Sequence, residues 1–158
     1  MKHTKCPFHS SVQQIQKNVK RYGCHVMYIF GDRQSPPFAY SIGLYKTFGA
    51  PEIVVIGLSL DMSGFVVNEY KDRFRSGERF EDNQFASGFL EGHKCLFLKT
   101  HRSFYKWYLA WCIGFYRGKS FPALQMVVPT VTGIWPWDDE ATEKVRSGQP
   151  VLGTVKLI

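Results

Sequence analysis

The apolar positions along the chain change their period several times, and each change marks an element. Val12, Ile15, Val19 and Tyr22 recur at three- to four-residue spacing behind Ser10 and Ser11. That pattern predicts a capped amphipathic helix ending at Gly23. Cys24 to Phe30 (CHVMYIF) is a nearly continuous apolar run and reads as a mostly buried strand. Gly31-Asp32 and Ser35-Pro36-Pro37 form a loop, because proline cannot join a ladder. Phe38 to Leu44 (FAYSIGL) partly alternates and reads as a strand. Ile53 to Leu58 (IVVIGL) is short and β-branched, as a central strand is.

A second helix is predicted behind Ser59 or Asp61. Met62, Phe65, Val66, Glu69, Tyr70, Arg73 and Phe74 share its face, and Gly77 stops it. Residues 78–92 are polar and glycine-spotted, suggesting a hairpin or loop, and Lys94 to Lys99 is a strand candidate. A third helix runs from Ser103 to about Tyr116. Aromatics at 104, 107, 108, 111 and 115 form one stripe, read as core. Tyr105 and Tyr116 lie off that stripe, beside Leu109 and Cys112. Phe121 to Val128 is another strand, Gly133 to Trp137 (GIWPW) a rigid aromatic loop, and an acidic segment after it a short helix. Val151 to Ile158 is an edge strand or tail. Three helices mixed with a largely antiparallel or mixed sheet make an α+β fold in one domain, residues 10–158. Residues 1–9 are read as a tail and a candidate for disorder.

Composition agrees with one globular core. The chain has 158 residues, 44% hydrophobic and 16% aromatic, too apolar for a disordered chain. No apolar run approaches the roughly 20 residues of a membrane span. The polar N-terminus has no secretory h-region, so a soluble cytoplasmic protein is expected. Cys6, Cys24, Cys95 and Cys112 are few and irregularly spaced, which favours reduced thiols.

Charge changes the picture more. The net charge is +7, and its distribution is uneven. Residues 1–31 carry five cations and no acid. Residues 93–137 carry Lys94, Lys99, Arg102, Lys106, Arg117 and Lys119, again without an acid. Such blocks fit an anionic partner, whether a nucleic acid, an acidic protein or a phosphate-bearing ligand, or else solvated faces.

The familiar nucleotide, hydrolase and zinc-enzyme signatures are absent. Four weaker constellations remain. Cys6-x-x-His9 has the spacing of half a zinc site, which Cys24 or His25 would complete; the alternative is a frayed terminus. Cys24 and His25 are adjacent in a strand and point to opposite faces, so they make no nucleophile–base pair, and Cys95 and Cys112 read as small core residues. Tyr40, Ser41, Glu52 and Gln125 are polar groups in or beside apolar strands. They form either one ligand pocket, with Trp135 or Trp137 as a wall, or four separately satisfied residues. Lys106, Arg117 and Lys119 with Tyr105 and Tyr116 supply the basic and aromatic mixture of a partner surface.

The block PPFAYSIGLYKTFGAPEIVVIGLSLDMSGFVVNEYKDRFRSGERFEDNQ resembles the signature of the bacterial domain-of-unknown-function 4262 family: an FAYTIGL-like strand, a GxPE turn, an apolar strand ending in GL, then a helix. SFYKWYLAWCIGFYRG, FPALQMVVP, GIWPW and QPVLG continue it, so the likeness covers about residues 10–153. It places Tyr40, Ser41, Glu52, Gln125, Pro51, Pro122 and Trp135-Pro136-Trp137 in family motifs. Ser41 stands where the family often has Thr, and Ala50 where His is frequent before Pro-Glu. The resemblance carries no established activity. By analogy with small bacterial α+β domains, an immunity or accessory role beside toxins is expected. The expected function is a non-catalytic module that docks a protein partner, an acidic one on the charge argument. A small-molecule or enzymatic pocket and nonspecific nucleic-acid binding are the alternatives. No cofactor is expected beyond the zinc option.

Overall fold

The computed structural model describes residues 7–156, with side chains from Val12 onward. The elements in chain order are α1 (Pro7–Tyr22), β1 (His25–Ile29), β2 (Phe38–Ile42), α2 (Leu44–Phe48), β3 (Glu52–Ile56), α3 (Leu60–Arg75), β4 (Gln84–Leu90), β5 (His93–Lys99), α4 (Tyr105–Tyr108), α5 (Ala110–Tyr116), β6 (Ala123–Val127) and α6 (Glu143–Gly148). A 3-10 turn at Arg102–Phe104 leads into α4. The fold is α+β, with six α-helices among the described residues rather than about three. α2 and α6 are short, and the third predicted helix is divided.

The six strands form one mixed sheet in the order β1-β2-β3-β6-β5-β4. Only β3 and β6 pair in parallel, from Glu52↔Ala123 to Val55↔Met126. Strand alternation then sorts the core into layers. Ile53 and Val55 of β3, Cys95 and Phe97 of β5 and Leu124 and Met126 of β6 pack with Val66, Val67, Tyr70 and Phe74 of α3. Their alternates Val54 and Ile56 join Phe38, Tyr40 and Ile42 of β2 under Ile15 and Val19 of α1 and Tyr105, Leu109 and Cys112 of α4 and α5. Leu96, Leu98 and Val127 are covered instead by Trp135, Trp137, Val151 and Val155.

The division of the third helix has a local cause. Leu109, at φ −135° and ψ 33°, ends α4 and opens α5. The Trp111 N–H thus released donates to the Tyr40 hydroxyl at 3.2 Å. The deep face of α4 and α5 is Tyr105, Leu109 and Cys112, all within 2% of full burial. The sequence reading put the core on the other side, at 104, 107, 108, 111 and 115. Those aromatics are half-buried, and Trp107 is 68% exposed.

Among the described residues, 151–156 form no edge strand. They are a tail tied down mainly by side chains. Gln125 Nε2 donates to the Pro150 carbonyl at 2.7 Å, and Leu152 N–H donates to Gln125 Oε1 at 2.8 Å. Gln149 in turn accepts from Val128 N–H and donates to the Val128 carbonyl.

Candidate functional site

The polar groups of the FAYSIGL and GAPE segments meet at one point. β2 and β3 pair regularly from Phe38↔Ile56 to Tyr40↔Val54 and then part. Beyond that point the Ser41 hydroxyl takes the place of a backbone acceptor, receiving the Ile53 N–H at 2.9 Å. The same hydroxyl donates to Glu52 Oε2 at 2.5 Å. Glu52 Oε1 accepts from Gly43 N–H at 2.8 Å, from Tyr45 N–H at 3.2 Å and from the Tyr116 hydroxyl in a very short bond. Gly43 and Tyr45 open α2, so the carboxylate caps that short helix from a neighbouring strand. Tyr116 also accepts the Lys46 N–H at 3.2 Å. One buried carboxylate thereby joins β2, α2, β3 and the end of α5.

Burial dominates the electrostatics. It pushes the Glu52 carboxyl up to about 7, against the four hydrogen bonds that favour its charged form. Burial also raises Tyr116, Tyr70, Cys24 and Cys112 around it. The thiol of Cys24 stands at about 11 and that of Cys95 at about 12. These cysteines are protonated near neutrality and poor nucleophiles.

The expected four-residue pocket does not assemble as one site. Ser41 and Glu52 are joined, but Tyr40 turns to Trp111 and Gln125 to the terminal tail. Trp135 and Trp137 stack on each other at 5.1 Å and belong to the Leu96, Leu98 and Val127 cluster. They wall no cavity near Glu52. The aromatic half of the partner surface is likewise internal. Tyr105 is buried, its hydroxyl donating to the Phe121 carbonyl at 2.8 Å. Tyr116 is half-buried against Phe121 and bound to Glu52. Lys106, Arg117 and Lys119 are exposed as expected. Cys6 lies outside the described residues. His9 falls within α1, but its side chain is not among those described. Among the described residues no group of three or more His, Cys, Asp or Glu side chains could hold a metal. No described helix is long and apolar enough to cross a membrane.

What the sequence reading missed is a groove of about 960 Å³ beside the Glu52 cluster. α1 contributes Val12, Ile15 and Val19, and α5 contributes Trp111 and Phe115. Lys20, Lys46 and Arg117 supply its cations, and no acid lines it. Lys46 Nζ lies 5.5 Å from the centre of the Phe115 ring. None of these three cations enters either of the two ion pairs found among the described residues. The available signal was the apolar stripe of the first helix read beside its lack of acids. The stripe is more than the core needs, since Ile15 and Val19 are buried while Val12 is only half-buried at the groove.

The profile of a family described as Domain of unknown function (DUF4262) matches residues 18–142, and the chain belongs to that family. No match was found among curated proteins or among solved structures.

Proposed function

We propose that this member of the DUF4262 family is a non-catalytic binding module that docks a protein partner in the groove between α1, α2 and α5. The groove's lining carries the reading: apolar walls, three cations and no acid. It suits a segment with apolar anchors and acidic flanks, such as an amphipathic acidic helix. Two features support binding over chemistry. Glu52, the buried carboxyl nearest neutrality, has both oxygens engaged by donors and is fully buried. The described thiols are raised by burial, which opposes a nucleophilic role. In this reading Glu52 is a structural clamp that holds α2 against the end of α5. The partner's acidic character fits an accessory or immunity-type role, in which a basic module neutralises an acidic surface.

The test is fluorescence anisotropy with a labelled amphipathic peptide carrying Leu and Glu at helical spacing. Wild type is expected to bind it. Combined Lys20→Glu, Lys46→Glu and Arg117→Glu substitution should weaken binding by about tenfold or more, with the fold intact by circular dichroism. Equal binding by the two proteins would overturn the groove assignment. Preference for a single-stranded oligonucleotide, with affinity falling steeply as salt rises, would favour nucleic acid instead.

A further inference from the structure

The two terminal strands of the sheet are built differently. β4 carries a register shift between Ala86 and Leu90, with Gly88 inside it at φ +90°. Such irregularity spoils an edge for further pairing. β1 has no such device. Its sequence HVMYI contains no Pro, Gly, Lys or Arg, and it pairs with β2 in unbroken register from His25↔Ile42 to Ile29↔Phe38. No described strand pairs with its outer side. A trough of about 640 Å³ runs along it, with Asn18 and Tyr22 of α1 on one flank and Asn68 and Lys71 of α3 on the other.

The surroundings are apolar as well as unpaired. Tyr22, Tyr28 and Phe30 line the trough and are exposed, Phe30 at 82%. The Tyr28 hydroxyl lies so close over Gly64 that a Cβ there would meet it at 2.2 Å. Beside Gly64, Met62 and Phe65 of α3 are also exposed. Large side chains gathered in this way mark an association surface more often than a solvated one.

We propose that a second copy of this chain occupies this edge, β1 pairing antiparallel with β1 about a two-fold axis. The surface is self-complementary in that arrangement, because each copy offers the same open edge and the same aromatic rim. Charge supports it too. α3 lies antiparallel to β1, with Gly64 by Tyr28 and Lys71 beside Cys24 along the trough at the other end. The two-fold therefore sets two α3 helices antiparallel, the Asp61 end of one towards the C-terminal end of the other, where Lys71, Arg73 and Arg75 outnumber Glu69 and Asp72. An unrelated extended peptide would gain the backbone bonds but not this match. Area is sufficient. Tyr22, Tyr28, Phe30, Met62 and Phe65 leave on the order of 500 Å² exposed per copy, so two copies with their strand backbones approach the roughly 1,200 Å² of a specific interface.

This inference uses no residue of the groove and stands or falls separately from it. The experiment is sedimentation velocity over a wide concentration range. The unmodified chain is expected to show a concentration-dependent dimer. Tyr28→Lys with Phe30→Lys should weaken dimerisation about 100-fold or more; Phe30→Lys alone, at a largely solvent-exposed position, guards against a folding defect. Asp61→Arg should weaken the dimer, and adding Arg75→Asp should restore it, a rescue that merely structural roles would not give. Arg117→Glu with Lys119→Glu should leave it unchanged. A monomer at every concentration overturns the proposal, including one that captures a foreign strand on this edge. So does a dimer that survives the Tyr28 and Phe30 substitutions.

Discussion

Replacing Glu52 by Gln separates the electrostatic role of this residue from its shape. Burial pushes the folded carboxyl up from its ordinary value of 4.5 to about 7, because it outweighs the hydrogen bonds that favour the charged form. Between those values the folded state holds a proton that the unfolded state has released. Stability is therefore greatest on the acid side and falls as pH rises through the window. From about pH 5 to about pH 8 the loss is roughly 2 kcal/mol, on the order of 5 °C in Tm for a chain of this size. Tyr116, Tyr70, Cys24 and Cys112, raised by burial, are neutral throughout, so no cation among them offsets the buried charge. Gln retains an acceptor oxygen for Gly43 and Tyr45 and does not titrate. Thermal unfolding of both proteins across this range should show the wild-type curve descending relative to the variant's. His25, lowered by burial, contributes an opposite slope on the acid side, but it does so in both proteins and cancels in the difference. Parallel curves for wild type and Glu52→Gln would refute the reasoning, because the buried carboxyl would then titrate alike in the folded and unfolded chains.

Gly43→Ala should cost about 2–3 kcal/mol in urea unfolding, because Gly43 sits at φ 102° and an added Cβ would meet both Val19 methyls at 2.7 Å. Gln125→Leu strands the Leu152 N–H and the Pro150 carbonyl, so about 2–3 kcal/mol should be lost. Amide exchange should then rise in residues 149–154 while peptide binding in the groove stays unchanged. Tyr116→Phe removes a donor to Glu52 and the acceptor of Lys46 N–H; a destabilisation of about 1–2 kcal/mol is expected, growing with pH because the lost bond is strongest to the charged carboxylate.

The readable parts of this chain are those whose pattern is set locally. β1, β2, β3, β5 and β6 follow from runs of apolar residues, and α1 and α3 from their period and their stop signals at Gly23 and Gly77. The parts that were not readable depend on groups distant in sequence. α2 is five residues long, too short to stand alone, and its first N–H groups are held by Glu52 from another strand. The break at Leu109 is stabilised by the Tyr40 hydroxyl, 71 positions before Trp111. Period alone gives a continuous helix there and cannot say which of two aromatic faces is inward. The deep face did have a signature: Tyr105, Leu109, Cys112 and Tyr116 fall at four- and three-residue spacing.

That reversal of faces decides what the polar residues mean. Tyr40, Ser41, Glu52 and Gln125 look like one ligand pocket because polar groups stand in apolar strands. Each instead supplies a bond that the backbone cannot make where regular pairing stops: Ser41 where β2 and β3 part, Glu52 at the start of α2, Tyr40 at the Leu109 break and Gln125 along an unpaired tail. A buried polar side chain used in this way is committed to holding the fold together. On the readings proposed above, another molecule is met by groups that the core does not use: the cations and half-buried apolar residues of the groove, and the rim of β1. The difference is measurable in one protein. Substitution at Glu52 should shift unfolding and leave peptide affinity nearly unchanged once the fold is restored by lower temperature, whereas substitution at Lys20 or Arg117 should shift affinity and leave unfolding where it was. If Glu52→Gln abolished peptide binding at a temperature where the variant is fully folded, the carboxylate would belong to the binding site, and its role as a clamp beneath the groove would have to be given up.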